Sequence, residues 1–168
     1  KEYNSFDSAE DDEGNEINIR VKKVKTVPSI EAVSCWDFYP DPNATNINDC
    51  DYVIQRHSYN KQQFQDLVDK PMFNAEAVQE CLEMGPNYQT RGFESSLYDR
   101  ENIQTIYKNR FEVLEYWGMM DVEMLLEQDV DIPKELEDFE ELQANIWVCN
   151  GKLLRAVLNP FKPAKIPF

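Results

Sequence analysis

Histidine occurs once in this 168-residue chain, glycine five times, and the four cysteines include no C-x-x-C pair. A structural zinc site draws its ligands from such local pairs or from clustered histidines, so no zinc centre is expected. The glycines form neither G-x-G-x-x-G nor a phosphate-loop pattern, which removes the usual nucleotide cradles. His57 is accompanied by no G-x-S-x-G elbow and lacks the nucleophile a hydrolytic triad requires. At a strand end beside Arg56 it reads as a surface or interface residue. No apolar run reaches the length of a membrane-spanning helix. Basic residues are also scarce: 17 Lys and Arg against 32 Asp and Glu leave a net charge of −15. Duplex affinity comes from Lys and Arg displacing counterions, so this chain is not expected to grip DNA. A surface past which nucleic acid slides is compatible with the same charge.

What is present is enough apolar material, 42% of residues, for one compact domain with a real core. Cys35, Cys50, Cys81 and Cys149 are widely spaced and read as reduced, mostly buried thiols of an intracellular protein. The opening KEYNSFDSAEDDEG is acidic, without the apolar core of a signal peptide. The start at Lys1 and the apolar stop at Phe168 lead us to expect a fragment of a longer chain. The charge is uneven. Residues 1–16 carry −6 and are expected as a flexible acidic arm, with residues 17–168 as a single domain. Residues 121–142 hold ten acids and one lysine, whereas residues 143–168 hold four bases and no acid.

Periodicity gives an α+β fold of mostly antiparallel strands, several short helices and a C-terminal β-hairpin. Ile17–Val27 and Ile30–Phe38 read as strands joined by a Pro28-Ser29 turn. Tyr39–Asp49, rich in Pro and Asn, reads as a loop, and Asp51–His57 as the next strand. Asn60 and Gln63 form a capping pair for a short helix with Phe64, Leu67 and Val68 inward. Asn74 caps a second helix, with Ala77, Val78, Cys81 and Leu82 at helical spacing, ended by Gly85-Pro86. Asn87–Asn102 reads as loop. Arg110–Trp117 is a long strand alternating Phe111, Val113, Glu115 and Trp117 against Glu112, Leu114 and Tyr116. Asp121 caps an acidic helix through Glu127, and Ile132–Leu136 starts another with Pro133 in its first turn. Last come Asn145–Cys149 and Lys152–Leu158, flanking Asn150-Gly151, the pair suited to the two positive-φ positions of a type I′ turn. The aromatics Trp36, Phe38, Tyr39, Trp117 and Trp147 on these strands read as core.

Little chemistry announces itself. Asp41-x-Asn43-x-Thr45 starts a calcium-loop spacing, but Asn46 stands where that loop needs Gly and Tyr52 where it needs Glu, so a turn stabilised by Asp and Asn is expected. Asn43-Ala44-Thr45 matches a glycosylation sequon with nothing else signalling secretion. Paired carboxylates abound, as in Glu135, Glu137, Asp138, Glu140 and Glu141. They lie in solvated runs, the opposite of the desolvated acid that catalysis needs. No catalytic, cofactor-binding or metal-ligating residue is assigned, and no cofactor is expected.

Three segments carry a family likeness by their order: Cys35–Arg56 (CWDFYPDPNATNINDCDYVIQR), Phe111–Gly118 (FEVLEYWG) with the acidic stretch behind it, and the hairpin with its exit, ANIWVCNGKLLRAVLNPF…KIPF. This succession resembles portal (head-to-tail connector) proteins of short-tailed bacteriophages and prophages, in the wing region outside the channel stem. The resemblance implies a structural, non-enzymatic domain of a dodecameric ring at one capsid vertex, in contact with capsid, terminase and tail proteins. DNA is packaged and ejected through such a ring without tight sequence-specific binding, and the protein resides in the virion after assembly in the host cytoplasm, with no membrane partner. Two other readings stand beside it: an acidic mimic of DNA or other protein-interaction module, and a carboxylate-dependent hydrolase.

Overall fold

The computed structural model describes residues 2–10, 16–24, 32–70, 72–90, 92, 96 and 109–160, the first two segments by backbone alone. They belong to two compact units, Lys1–Ala32 and Val33–Phe168. In the first, β1 (Glu2–Glu10) runs antiparallel to β2 (Glu16–Val24), from Glu2 opposite Val24 to Glu10 opposite Glu16. Residues 2–10, expected as part of a flexible arm, are thus a strand: a partner supplies a backbone ladder that acidic side chains do not advertise. Residues 17–32 group with this unit and not with the larger domain. The Pro28-Ser29 turn lies outside the described residues.

The second unit is α+β. Its five-stranded antiparallel sheet follows chain order: β3 (Phe38–Pro40), β4 (Tyr52–Tyr59), β5 (Phe111–Asp121), β6 (Glu141–Cys149) and β7 (Lys152–Leu158). Between β4 and β5 stand α1 (Lys61–Gln65) and α2 (Ala75–Met84), and α3 (Val122–Glu127) follows β5. Among the described residues no helix is long and apolar enough to cross a membrane.

Local chemistry explains most boundaries. Asn60 accepts the Gln63 N–H at 2.8 Å while the Gln63 side chain accepts the Asn60 N–H at 3.0 Å, a reciprocal capping box. Asn74 accepts the Ala77 N–H, and α2 stops at Gly85, whose φ of 88° is closed to most side chains. Asn150 (φ 51°) and Gly151 (φ 73°) make the expected hairpin turn.

Several expectations need correction. The Ile30–Phe38 strand is not formed over its described part: Ser34 accepts the Trp36 N–H and starts a 3₁₀ turn over Cys35–Asp37, so β3 begins only at Phe38. Trp36 on that turn is half exposed. Val68 points outward, because beyond Gln65 the helix tightens to a 3₁₀ turn that keeps Leu67 inward and rotates its neighbour away. Asp121 precedes α3 but makes no capping bond, since it is the last paired residue of β5, opposite Glu141. Pro133 precedes a single 3₁₀ turn, Lys134–Leu136, in place of a helix.

Both sheet faces are covered. On one, Phe64 and Leu67 from the α1 region and Val78 and Cys81 from α2 pack on Phe111, Val113, Trp147, Cys149 and Leu154. The Phe64 and Phe111 rings stack at 4.5 Å. Farther along that face, Cys50, Val53 and Trp117 form a second cluster with Phe38, Ala44 and Ile47. On the opposite face, Val122, Leu125, Val130 and Ile132 cover Ala144. Burying each such aliphatic or aromatic side chain contributes about 1.5–3 kcal/mol. Between Trp147 and Val148 the register with β7 shifts, and Leu154 is the extra residue. Its carbonyl accepts the Asn74 N–H at 2.8 Å and thereby ties the start of α2 to β7.

Gly118 lies opposite Tyr52, where the Tyr52 and Tyr116 rings stack at 6.1 Å. A Cβ on Gly118 would sit 2.7 Å from the Tyr52 Cβ and 2.8 Å from the Asp51 carbonyl. Gly118→Ala is therefore expected to lower stability by about 1–3 kcal/mol, the usual cost of overpacking. An unchanged urea midpoint would show that β4 and β5 do not meet this closely.

Candidate functional site

The apolar face of β5 is interrupted by a carboxylate. Phe111, Val113, Glu115 and Trp117 alternate inward as a period of two requires, and Glu115 is only 8% exposed. Its Oε2 accepts the Nε2–H of His57 on β4 at 2.8 Å. Its Oε1 accepts the indole N–H of Trp117 at 2.8 Å and the Nδ2–H of Asn145 on β6 at 3.0 Å. The Asn145 Oδ1 in turn accepts the indole N–H of Trp147 at 2.9 Å. Three strands thus meet at one side chain, midway between the two apolar clusters of that face.

Aromatic rings enclose the network. His57 stacks on Trp147 at 4.8 Å and on Tyr59 at 5.6 Å, while Phe73 meets Trp147 edge-on at 5.3 Å. Arg155 on β7 lies opposite Trp147 and places its guanidinium 5.5 Å above the Phe73 ring. Burial draws the Arg155 pKa below the usual guanidinium value, and the Glu115 charge works against that fall. The carboxylate therefore has donors on both oxygens and a compensating cation, as a buried charge requires. Chemically this is a structural carboxylate with a His tautomer fixed by its acceptor. His57, expected at the surface or at an interface, is largely buried inside this network, its side chain 17% exposed.

A second polar clamp occupies the opposite face. The buried Arg56 donates from Nε and Nη2 to Asp37 Oδ1 at 2.7 Å, reaches Glu112 at 3.5 Å and lies 5.1 Å over the Tyr88 ring. The Asn87 amide accepts the Glu112 N–H at 2.7 Å and donates to its carbonyl at 3.3 Å, continuing the ladder of β5 past the end of β6. In the 41–51 loop, Asp41 accepts the Asn43 N–H at 2.8 Å and the Asp51 N–H at 3.5 Å, and Asn46 accepts the Asn48 N–H. The calcium-like spacing is thus spent on the turn it was expected to stabilise. No cluster of His, Cys, Asp and Glu suited to a metal ion occurs among the described residues.

Three of the cysteines are buried and Cys35 is exposed, all of them free thiols. Cys81 Sγ donates to the Cys149 carbonyl at 3.3 Å across the α2–β6 contact. Residues 121–142 are not one charged ridge: Val122, Leu125, Val130 and Ile132 turn inward, and the acids rim shallow grooves on either side. Sequence reasoning missed the Glu115 network. Its signal was the placing of Glu115 on the apolar phase of an alternating strand, with Asn145 at the head of the facing apolar run.

No protein-family model matches the sequence, and no curated protein is similar to it at a significant level.

Two outcomes are expected from this geometry. Glu115→Leu strands the Trp117, Asn145 and His57 donors and should cost about 3–5 kcal/mol, the scale for breaking a buried charged partnership. Glu115→Gln keeps an acceptor for the indole and Asn145 and should cost about 1–2 kcal/mol. Urea unfolding followed by tryptophan fluorescence separates them, and equal costs would dismiss the network as the organising contact.

The second concerns alkaline pH. Burial first, then the adjacent Cys81 thiol, pushes the Cys149 thiol from 9.0 up to about 12. Between those values the unfolded chain releases a proton that the folded chain keeps, so stability falls as pH rises through that window. The urea midpoint should drop more steeply from pH 9 to 12 in the parent protein than in Cys149→Ala, and parallel profiles would refute the assignment.

Proposed function

We propose that this chain is a structural interaction domain of a phage or prophage portal, part of the wing wall of a ring through which DNA is packaged and ejected. The observation that supports this reading is spatial. The three segments that carry the resemblance, in their chain order, are β3 with β4, then β5, then β6 with β7: the whole of one sheet, strand by strand. A likeness inherited with a scaffold has this form, since the order in sequence repeats the order in space.

The competing readings have less support. A hydrolase needs a carboxyl presented to a substrate, whereas both buried carboxylates among the described residues, Asp41 and Glu115, accept bonds from their own scaffold. A DNA mimic needs a continuous ridge of carboxylates, whereas the acids of residues 121–142 alternate with inward apolar side chains. The net charge of −15 suits a conduit wall that must not retain its cargo.

Electron microscopy of the complete gene product that carries this sequence tests the proposal: closed rings with a central hole are expected. Uniformly monomeric particles across a wide concentration range would overturn it. The 168-residue chain itself should leave duplex DNA unshifted at physiological salt.

A further inference from the structure

We propose that the open edge of β7 takes up an extended segment of a partner protein as a further antiparallel strand, with lysine or arginine at alternate positions and threonine or serine between them. Among the described residues β7 has a neighbour, β6, on one side only. The ladder decides which of its backbone groups are free. The Asn159 N–H donates to the Gln143 carbonyl at 2.9 Å. Alternation from that rung turns the backbone groups of Val157 and Arg155 toward β6, and those of Ala156 and Leu158 away from it. Farther back, the outward Leu154 carbonyl is already taken by the Asn74 N–H. Beyond it, both the N–H and the C=O of Ala156 and of Leu158 face the open side.

A groove enclosing about 570 Å³ is lined by every residue from Leu153 to Leu158. These side chains belong to both faces of the sheet, so the groove lies along the strand's edge. Each face supplies a wall: Met72 and Asn74 on the α2 side, Glu127–Asp131 on the α3 side. Such walls keep a second sheet from abutting the edge and leave room for one strand. Their charges define what that strand carries. Ala156 and Leu158 pack against the cluster of Val130 and Ile132, so residues paired with them point toward Glu127, Asp129 and Asp131. No described base forms an ion pair with these three acids, and lysine or arginine at those positions neutralises them. Residues of the other phase meet Met72, 68% exposed, and Arg155, whose buried Nε has no acceptor among the described residues. Arg155 repels a base there, whereas threonine brings a methyl, an acceptor oxygen and a preference for extended backbone. A second copy of this chain fits less well, because its own β7 is flanked by the same acids.

The probe is a synthetic peptide alternating lysine and threonine, added to the isotope-labelled 168-residue chain, with amide hydrogen exchange read by NMR. The Ala156 and Leu158 amides are expected to exchange freely in the chain alone and about tenfold more slowly with saturating peptide, while those of β3 at the opposite edge stay unchanged. In the antiparallel register the lysines lie opposite Ala156 and Leu158, and their N–H groups are the ones that face β7. Methylating the lysine amides should therefore weaken binding about tenfold or more, and methylating the threonine amides should leave it within about twofold. Asp129→Asn with Asp131→Asn, both exposed, should weaken it about threefold with the circular dichroism spectrum unchanged. Ala156 and Leu158 amides protected before peptide is added, equal affinity for the two methylated peptides, or equal affinity for a peptide alternating glutamate and threonine would overturn the proposal.

Discussion

The Glu115 carboxylate is the constraint around which the larger unit is arranged. A charge in the middle of a sheet face is tolerated only when the sheet itself supplies its donors. Here His57, Trp117 and Asn145 do so from β4, β5 and β6. Replacing a buried charged network by well-packed apolar side chains is often neutral or stabilising, so stability is a weak account of why a carboxylate sits here. Register is a stronger one. A slip of one residue turns every side chain of a strand to the other face. Slipping β6 would remove Asn145 from Glu115 and Trp147 from His57 together, and an apolar face alone punishes such a slip less sharply. The bulge beside Trp147 belongs to the same arrangement. It keeps Arg155 opposite Trp147 and near the carboxylate, while it turns Leu154 into the core beneath α2.

Arg56 complements this from the other side. Its guanidinium joins Asp37 before β3 to Glu112 on β5, so the short strand β3 is held by charge as well as by a three-residue ladder. The helices that cover the sheet are short, and propensity alone does not stabilise helices of this length. They persist through caps and buried faces: the Asn60–Gln63 box, the Asn74 cap, and Phe64, Leu67, Val78 and Cys81 beneath them.

Much of this was legible in sequence where local chemistry decides. The α+β class, the alternation of β5, both asparagine caps and the Asn150-Gly151 turn follow from side-chain preference and period. What was hidden depends on partners distant in sequence. Trp36 alternates as a strand residue should, yet the Ser34 hydroxyl competes for the Trp36 N–H and Arg56 draws Asp37 into a turn. Val68 fits a helical period, but the helix narrows before reaching it. His57 shows no sequence sign of burial, because its acceptor lies 58 positions away and its ring partner on β6 farther still. Glu115 was visible as a carboxylate in the wrong phase, but only the fold reveals its donors. At the N-terminus, the acidic composition of residues 2–10 argued for an arm, whereas pairing with β2 depends on the backbone and is blind to that charge.

The FEVLEYWG segment shows why such a likeness is hard to read as function. Phe111 stacks on Phe64, the Glu112 backbone pairs with Asn87, and Val113 fills the core. Glu115 gathers the network, Tyr116 donates to the Met119 carbonyl, Trp117 donates to Glu115, and Gly118 admits Tyr52. Nearly every letter has a task inside its own sheet. Side chains placed in this way hold strands in register, and their spacing encodes geometry in place of chemistry. The proposed wall of a ring asks for this: a rigid sheet whose order survives when neighbouring chains press on it.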